Sequence, residues 1–273
     1  MTDTRTDGSL NGTPIAFGTG GIKGDVGRAT LHIAYDHGYR LFDTAFTYGN
    51  EADVAATLSA AEDAQFITKL PGRAHGKHQT VKMIDAQRRT LNRDTIDVYL
   101  IHWPLPRIDL YVETWEEIIN CRDRGLVHTI GVSNFTIPML ERLHATTGVM
   151  PEVIQFERHP WWPQNDLVDF CKRQNIRMFA WSPLRKLEGG LLQATEVVDA
   201  AKAIGTSPAS TVLAWHRLHG VIPVVKSRDP FHMDSNLKAM APASHEHQAI
   251  LRRLDGITTR ARRGGDPNDH EEF

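Results

Sequence analysis

From Thr13 onward, short apolar runs alternate with longer stretches in which hydrophobic residues recur at helical spacing. Each short run is bounded by polar or turn-forming residues, which is typical of buried strands. The first run is the weakest strand candidate because it is short and opens with Pro14. The pattern predicts eight strands, at 14–18, 41–45, 66–70, 97–102, 127–132, 153–157, 176–181 and 221–226.

The stretches between these strands predict amphipathic helices. In 79–93, for example, Val81, Ile84 and Leu91 recur near helical spacing among Lys, Arg and Gln residues. Further helices are predicted at 26–38, 50–61, 109–124, 136–145, 165–174, 193–204, 208–218 and 233–240.

A strand followed by a helix, about eight times over, predicts a parallel sheet closed into a single-domain (β/α)₈ barrel. An open doubly wound sheet also alternates in this way, but its dinucleotide-binding form needs G-x-G-x-x-G after the first strand. Here Gly18 and Gly20 are followed by Lys23 in place of the third glycine, so the barrel is favoured. From about residue 256 the composition changes to a polar tail, basic first and acidic afterwards.

Charge and cysteine content narrow the class of protein. The 31 Lys and Arg against 33 Asp and Glu leave a net charge of −2, which argues against nucleic acid or a membrane surface as a partner. Two cysteines, Cys121 and Cys171, are too few for a disulfide framework or a four-thiolate zinc site. The polar N-terminus lacks the apolar stretch of a signal peptide, and no run reaches the length of a membrane span. We therefore expect a monomer in the cytoplasm.

Four reactive side chains stand at or just beyond the ends of predicted strands two to four. Asp43 lies near the end of strand two, Tyr48 in the loop after it, Lys69 near the end of strand three, and His102 ends strand four. In a (β/α)₈ barrel the carboxyl ends of the strands form the active-site face. An acid, a phenol, an amine and an imidazole are therefore predicted to converge there.

This grouping suits proton transfer to a carbonyl oxygen. A free tyrosine keeps its proton until about pH 10, and a lysine cation beside the phenol stabilises the phenolate and lowers that pKa. An aspartate beside the lysine keeps it charged and oriented, so Tyr48 can give its proton to a carbonyl oxygen or take it back from an alcohol. A neutral His102 can hold the same oxygen. With one histidine and one carboxylate the set is a poor metal site, and no metal is predicted.

Six segments together resemble the aldo-keto reductase family, from about Thr13 to the tail. Their order and spacing carry the resemblance, because each segment is weak alone. They are GYRLFDTAFTYGNE at 38–51, FITKL at 66–70, IDVYLIHWP at 96–104, GLVHTIGVSNF at 125–135, AWSPL at 180–184 and VKS at 225–227.

The resemblance implies a carbonyl reductase in which a reduced nicotinamide cofactor, NADPH with NADH possible, delivers hydride and Tyr48 is the general acid. The family tetrad matches Asp43, Tyr48, Lys69 and His102. Implied cofactor contacts run from the carboxamide to the adenine phosphate: Ser133, Asn134, Gln155, Trp181, Ser182, Leu184, Lys226, Ser227, Arg228, His232 and Asn236. A small carbonyl substrate is expected among Gly20, Phe46, Thr47 and Trp103.

Four positions depart from the family pattern. Ile154 replaces an asparagine before the carboxamide glutamine, and Arg185 replaces a glycine, which predicts a stiffer loop after strand seven. Gly20 replaces an aromatic residue, which predicts a more open substrate pocket. His232 replaces an arginine six residues after Lys226, so the contact with the 2′-phosphate of NADPH should be weaker. Because Arg228 could reach the same phosphate, we expect a preference for NADPH over NADH that is real but reduced.

Other readings stay open at this point. A cofactor-binding regulatory or structural barrel with little turnover would carry the same motifs, and a metal-assisted barrel hydrolase would contain metal. Among residues outside the motifs, His159 is read as structural, the cysteines as packing residues, and Arg260, Arg262 and Arg263 as a solvated basic face. The resemblance also allows the tail to fold over the substrate pocket. The natural substrate is not specified by the sequence.

Overall fold

The computed structural model describes residues 14–257 and 261–272, and within them eight parallel strands form a closed barrel in chain order. Each strand pairs with the next, and the eighth pairs with the first through Ala16 with Val224 and Phe17 with Val225. The predicted (β/α)₈ fold is confirmed and the open sheet is excluded. The strands are β1 (Ala16–Gly18), β2 (Leu41–Asp43), β3 (Gln65–Leu70), β4 (Ile96–Ile101), β5 (Val127–Ser133), β6 (Val153–Glu157), β7 (Arg177–Trp181) and β8 (Val221–Val225).

Helices follow the strands and cover the outside of the barrel. They are α1 (Gly24–Asp36), α2 (Glu51–Thr57), α3 (Lys77–Leu91), α4 (Tyr111–Asp123), α5 (Ile137–Thr147), α6 (Asn165–Arg173), α7 (Thr195–Ile204), α8 (Pro208–Leu218), α9 (Pro230–Lys238) and α10 (His245–Leu251). None of the helices in the described part of the chain is long and apolar enough to cross a membrane.

Most predicted boundaries are correct to within a few residues. Helix capping explains one shifted boundary and one helix that was not predicted. Helix α9 begins three residues before its predicted start, because the Asp229 side chain accepts the Phe231 backbone N–H and Pro230 stands in the first turn. Helix α10 was not among the predicted helices. Ser244 caps it by accepting the backbone N–H of His247.

The barrel interior explains where the polar residues lie. Inward-facing apolar side chains fill it: Ala16, Leu41, Ile67, Val98, Leu100, Val153, Phe179 and Val224. Side chains alternate across a strand, so the residue two positions further along also points inward, nearer the carboxyl end. Those next inward positions are Asp43, Lys69, His102, Gln155 and Trp181. The apolar layer is thus the floor of a polar site.

One glycine in this interior is required by close packing. A Cβ at Gly131 in β5 would lie 2.2 Å from the carbonyl oxygen of Val153 and 2.4 Å from one of its methyl carbons. Any side chain there would push β5 away from β6. Gly131 therefore keeps Ser133, two residues later, at the barrel rim.

The last described residues cross the carboxyl end of the barrel, so the tail packs over this face. The backbone N–H groups of Arg263 and Gly264 donate to Glu157 at 2.6 and 2.7 Å. The solvated basic face was wrong for Arg262, which lies over the Trp162 ring, and for Arg263, which pairs with Glu188. Both side chains are only about a quarter exposed. Arg260, the third member, lies outside the described residues.

Candidate active site

A buried ion pair forms the base of the site. Lys69 Nζ lies 2.8 Å from Asp43 Oδ1 and also donates to the Thr44 carbonyl at 2.8 Å, while Gln155 Nε2 donates to the same Asp43 oxygen at 2.7 Å. The Lys69 side chain has no solvent exposure. Burial alone would lower the pKa of Lys69, but the nearby Asp43 carboxylate and the Tyr48 phenol raise it above its ordinary value. Lys69 is therefore a fixed cation.

Tyr48 is the last residue of a 3₁₀ turn that follows β2, and its ring lies over this cation. Lys69 Nζ is 5.2 Å from the ring centroid. Burial raises the pKa of Tyr48, Lys69 lowers it, and the Asp43 charge raises it, so the net pKa is above its ordinary value. Lys69 thus lowers the pKa of Tyr48 as the sequence predicts, and desolvation outweighs this effect. The phenol therefore keeps its proton at neutral pH.

His102 faces the phenol from the end of β4. The Tyr48 and His102 rings are 6.2 Å apart and nearly perpendicular. Burial lowers the pKa of His102, more than the neighbouring Glu272 raises it. His102 is consequently a neutral imidazole near pH 7. The structure thus brings all four predicted catalytic side chains to one place.

The predicted carboxamide contacts lie at the adjoining ends of β5, β6 and β7, where Ser133 and Gln155 are buried. Asn134 has a left-handed backbone and a fully engaged side chain. Its amide donates to the His102 carbonyl at 3.0 Å and to Ser133, and its oxygen accepts the Trp181 indole N–H at 2.8 Å. Asn134 therefore positions His102 and Trp181, which its sequence motif did not reveal.

The loop after β7 has an unusual backbone. Ser182, Arg185, Lys186 and Leu187 all have φ between 50 and 62°, the left-handed region that glycine adopts most easily. Arg185, where the family pattern has glycine, is thus strained in addition to being bulky. Leu184 in the same loop is half-buried and packs against two neighbouring apolar clusters.

Cationic side chains gather after β8. Burial lowers the pKa of Lys226, and the charges of Lys186 and Arg228 lower it further. Lys226 Nζ donates to the Gly20 carbonyl at 2.7 Å, so it also borders the substrate side. No carboxylate among residues 14–257 and 261–272 forms an ion pair with Lys186, Lys226 or Arg228, so these three cations suit a phosphate anion.

The remaining phosphate-site residues lie around the start of α9, and they differ in exposure. The Ser227 hydroxyl accepts the Asp229 backbone N–H at 3.0 Å. His232 is 65% exposed and its Nδ1 is 3.6 Å from Asp229 Oδ2, so an acid stands beside it. Asn236 is buried near Tyr39, whose hydroxyl donates to the Met233 carbonyl at 3.2 Å.

The residues predicted to line the substrate pocket differ in how accessible they are. A Cβ at Gly20 would lie 3.6 Å from Tyr48 Cε2, so a larger residue would cover the phenol ring. Phe46 lies under the Arg73 guanidinium at 4.5 Å, and Thr47 is exposed. Trp103 is covered by His270 of the tail, with ring centroids 4.0 Å apart. Nearby, Asn134, Trp181 and the tail border a cavity of about 570 Å³.

Sequence reasoning missed several residues that support this site. Glu51 accepts hydrogen bonds from Thr68 and Gln87 in the layer behind Lys69. Glu157 anchors the tail, and Glu272 touches His102. Alternation along β6 could have placed Glu157 inward beyond Gln155, but no sequence signal links Glu272 to residues so distant in the chain.

The histidine and the two cysteines that the sequence predicts to be structural are all buried. His159 is fully buried, with Nε2 3.0 Å from Glu157 Oε1, and both cysteines are buried and unpaired. Within 14–257 and 261–272, no three His, Cys, Asp or Glu side chains are arranged to hold a metal ion.

Comparison with known proteins agrees with this geometry. The sequence profile described as the aldo/keto reductase family matches residues 14–255. The chain is 39% identical to 2,5-diketo-D-gluconic acid reductase B of Corynebacterium sp., covering 97% of this chain and 98% of that protein. It is 37% identical to methylglyoxal reductase DkgA of Escherichia coli O157:H7, covering 76% of each.

A solved structure supports the same assignment. A variant of Gox0644 in complex with NADPH superimposes with a TM-score of 0.87 at 33% identity, covering 94% of each chain. Fold, strand-end chemistry and sequence relatives therefore agree, and the chain belongs to the aldo/keto reductase family of nicotinamide-dependent carbonyl oxidoreductases.

Proposed function

We propose that this protein reduces small aldehydes or ketones with NADPH, using Tyr48 as the general acid. The observation that carries the proposal is the buried Asp43–Lys69 pair beneath a protonated Tyr48 and beside a neutral His102. A metal-assisted hydrolase has no comparable support in the described residues.

The residues around the barrel mouth fit the proposed cofactor. Ser133, Asn134 and Gln155 surround the end of the site where Trp181 presents a half-buried indole. Gln155 uses its amide N–H on Asp43, so its carbonyl oxygen can still accept from a nicotinamide carboxamide. At the other end, Lys226 and Arg228 would hold the adenosine phosphate. The NADPH complex of Gox0644 supports this choice of cofactor for the present chain.

The four tetrad residues transfer a proton to the carbonyl oxygen. When bound, the reduced nicotinamide supplies the hydride for the carbonyl carbon. Tyr48 donates its phenolic proton to the carbonyl oxygen, and Lys69 stabilises the phenolate that remains. Asp43 holds Lys69 in place, and neutral His102 can donate its single ring N–H to the same oxygen, without adding charge, once the Glu272 carboxylate has rotated away from the imidazole. The raised pKa of Tyr48 keeps the acid protonated, which favours reduction over alcohol oxidation near neutral pH.

The relatives' names support small, oxygen-rich carbonyl compounds as the substrate class, since one is a diketo-gluconic acid reductase and another a methylglyoxal reductase. The glycine at position 20 leaves the Tyr48 ring uncovered on that side, so the pocket is open beside the phenol.

The decisive test is Tyr48→Phe, which keeps the ring and removes the transferable proton. Turnover with an aldehyde and NADPH should fall by about 10²–10⁴-fold, the usual loss for a missing general acid. The NADPH dissociation constant, followed by tryptophan fluorescence, should stay close to wild type. The matched control is Tyr35→Phe, which removes an exposed hydroxyl bound to Asp63 on the outside of the barrel. Near-full turnover in Tyr48→Phe would contradict the mechanism.

We further propose that the enzyme is a cytoplasmic monomer. Two buried, unpaired thiols are compatible with a reducing compartment. Size-exclusion chromatography with light scattering should give a mass close to 30.6 kDa.

A further inference from the structure

The tail brings an acidic side chain into direct contact with the tetrad. Glu272 Oε2 lies 2.7 Å from His102 Nδ1, and the Glu272 side chain is only about a quarter exposed. This residue is close enough to Tyr48 and Lys69 for its charge to influence both. A carboxylate therefore stands where substrates must approach the phenol.

Several contacts fix the backbone that carries Glu272. A Cβ at Gly72 would lie 1.7 Å from the Glu272 carbonyl oxygen, so the tail is packed directly on the loop after β3. The His270 ring stacks on Trp103, and Glu271 accepts the Arg107 backbone N–H at 3.2 Å. With the backbone held at these points, a bound substrate can displace the Glu272 carboxylate only by rotating its side chain. The charge then stays beside the site.

Glu272 also places a negative charge beside the tetrad. Burial alone would raise the pKa of Glu272, but His102, His270 and Lys69 lower it below its ordinary value, so the group is ionised at neutral pH. The Asp43–Lys69 pair is neutral as a unit, and burial keeps His102 uncharged. Two exposed cations border the substrate side, Arg73, which stacks on Phe46, and Lys226, which donates to the Gly20 carbonyl. Glu272 lies nearer the reacting groups, because it contacts His102 directly. The charge in contact with His102 is thus negative.

We propose that Glu272 is a specificity-determining residue that disfavours carbonyl substrates bearing a carboxylate and favours neutral or cationic ones. This inference rests on the proposed carbonyl reduction. It also separates this chain from its relative, whose name specifies an acid substrate. Selection arises because an anionic substrate must approach an ionised carboxylate in a poorly solvated site, where charge repulsion is strong.

The test compares three aldehydes that differ mainly in charge: 4-formylbenzoate, benzaldehyde and 4-(trimethylammonio)benzaldehyde. The kcat/KM of each, divided by that of benzaldehyde, is measured for wild type, Glu272→Gln and Glu272→Lys. In Glu272→Gln the relative efficiency with 4-formylbenzoate should rise about five- to thirtyfold, as expected for removing one charge at about 8 Å in a partly screened site. The relative efficiency with the cationic aldehyde should fall, and Glu272→Lys should reverse the order of the two.

The matched control is Glu271→Gln, which removes the same charge from the adjacent residue and keeps an oxygen for the Arg107 N–H. Its ratios should stay within about twofold of wild type, because its carboxylate does not contact the tetrad. If kcat/KM changes equally for all three aldehydes in the Glu272 variants, or if the ratios stay at their wild-type values in an active variant, charge selection by Glu272 is wrong. The proposed carbonyl reduction would be unaffected by that result. No cofactor consumption by wild type with any of them would overturn the proposed function as well.

Discussion

The two ends of the proposed cofactor site are built differently. At the catalytic end, Asp43, Lys69 and Gln155 occupy inward positions on three strands and are bonded to one another in the interior. At the phosphate end, Arg228 and His232 follow β8 and stand on exposed backbone, with an acidic neighbour beside His232.

The difference shows which part of a site tolerates change. A strand position is held by the packed barrel, so its side chain can be replaced only at the cost of buried partners. A loop or helix-start position is surrounded by water, which solvates whatever replaces it. Substitutions should therefore have large effects at the catalytic end and graded effects at the phosphate end.

The largest contrast should come from replacing a lysine by methionine at each end of the site and comparing the losses in unfolding free energy. Lys69→Met leaves Asp43 buried without its cation, and breaking such a pair costs about 3–5 kcal/mol of unfolding free energy. Lys226→Met removes an exposed lysine that donates a hydrogen bond to the Gly20 carbonyl, and should lower that free energy by only about 0.5–1.5 kcal/mol. Urea unfolding measures both, and equal losses would contradict the comparison.

The same Lys69→Met protein tests the link between lysine and phenol. Alcohol oxidation needs the phenolate, so its rate rises with pH through the pKa of Tyr48. Lys69 lowers that pKa against the opposing effect of burial, so its removal should move the oxidation profile to higher pH and reduce the rate. Initial rates of alcohol oxidation across pH give the profile. A folded variant with the wild-type profile would show that Lys69 has no such role.

At the phosphate end we expect smaller changes in cofactor choice. His232→Arg adds a charged fork near Lys226 and should raise the NADPH/NADH ratio of kcat/KM by about tenfold, the value of one charge-assisted hydrogen bond. Arg228→Ala should lower the ratio by a similar factor. Lys238→Ala, which removes an exposed cation paired with Asp234 further along α9, is the control and should leave it unchanged. If neither of the first two variants moves the ratio, the phosphate lies elsewhere.

The smallest effect concerns the backbone between the two ends. Arg185 has a φ of 53°, where a side chain costs about 1–2 kcal/mol and glycine costs little. Arg185→Gly and Arg185→Ala both remove the guanidinium, but only glycine relieves the strain. The glycine variant should be the more stable of the two by about 1 kcal/mol after its greater unfolded-state entropy is counted. Thermal unfolding compares them, and a more stable alanine variant would mean that the left-handed backbone is not strained.

Much of this protein follows from its sequence alone. Strand-length apolar runs separated by amphipathic stretches predict a parallel α/β fold, and Lys23 in place of the third fingerprint glycine favours the barrel over the open sheet. The period of two along each strand then places Asp43, Lys69 and His102 just above the apolar interior. Local chemistry was therefore enough to predict the fold and the tetrad.

Tertiary structure decided what depends on contacts between distant segments. The net direction of the Tyr48 pKa depends on how far the surrounding side chains desolvate the phenol, and residue type alone does not specify that balance. Asn134 acquired its role only when three strand ends met. Glu272 reached His102 because the tail packs across the barrel, anchored on Glu157. Such long-range contacts depend on the shape of the whole surface, and no local pattern in the chain encodes them.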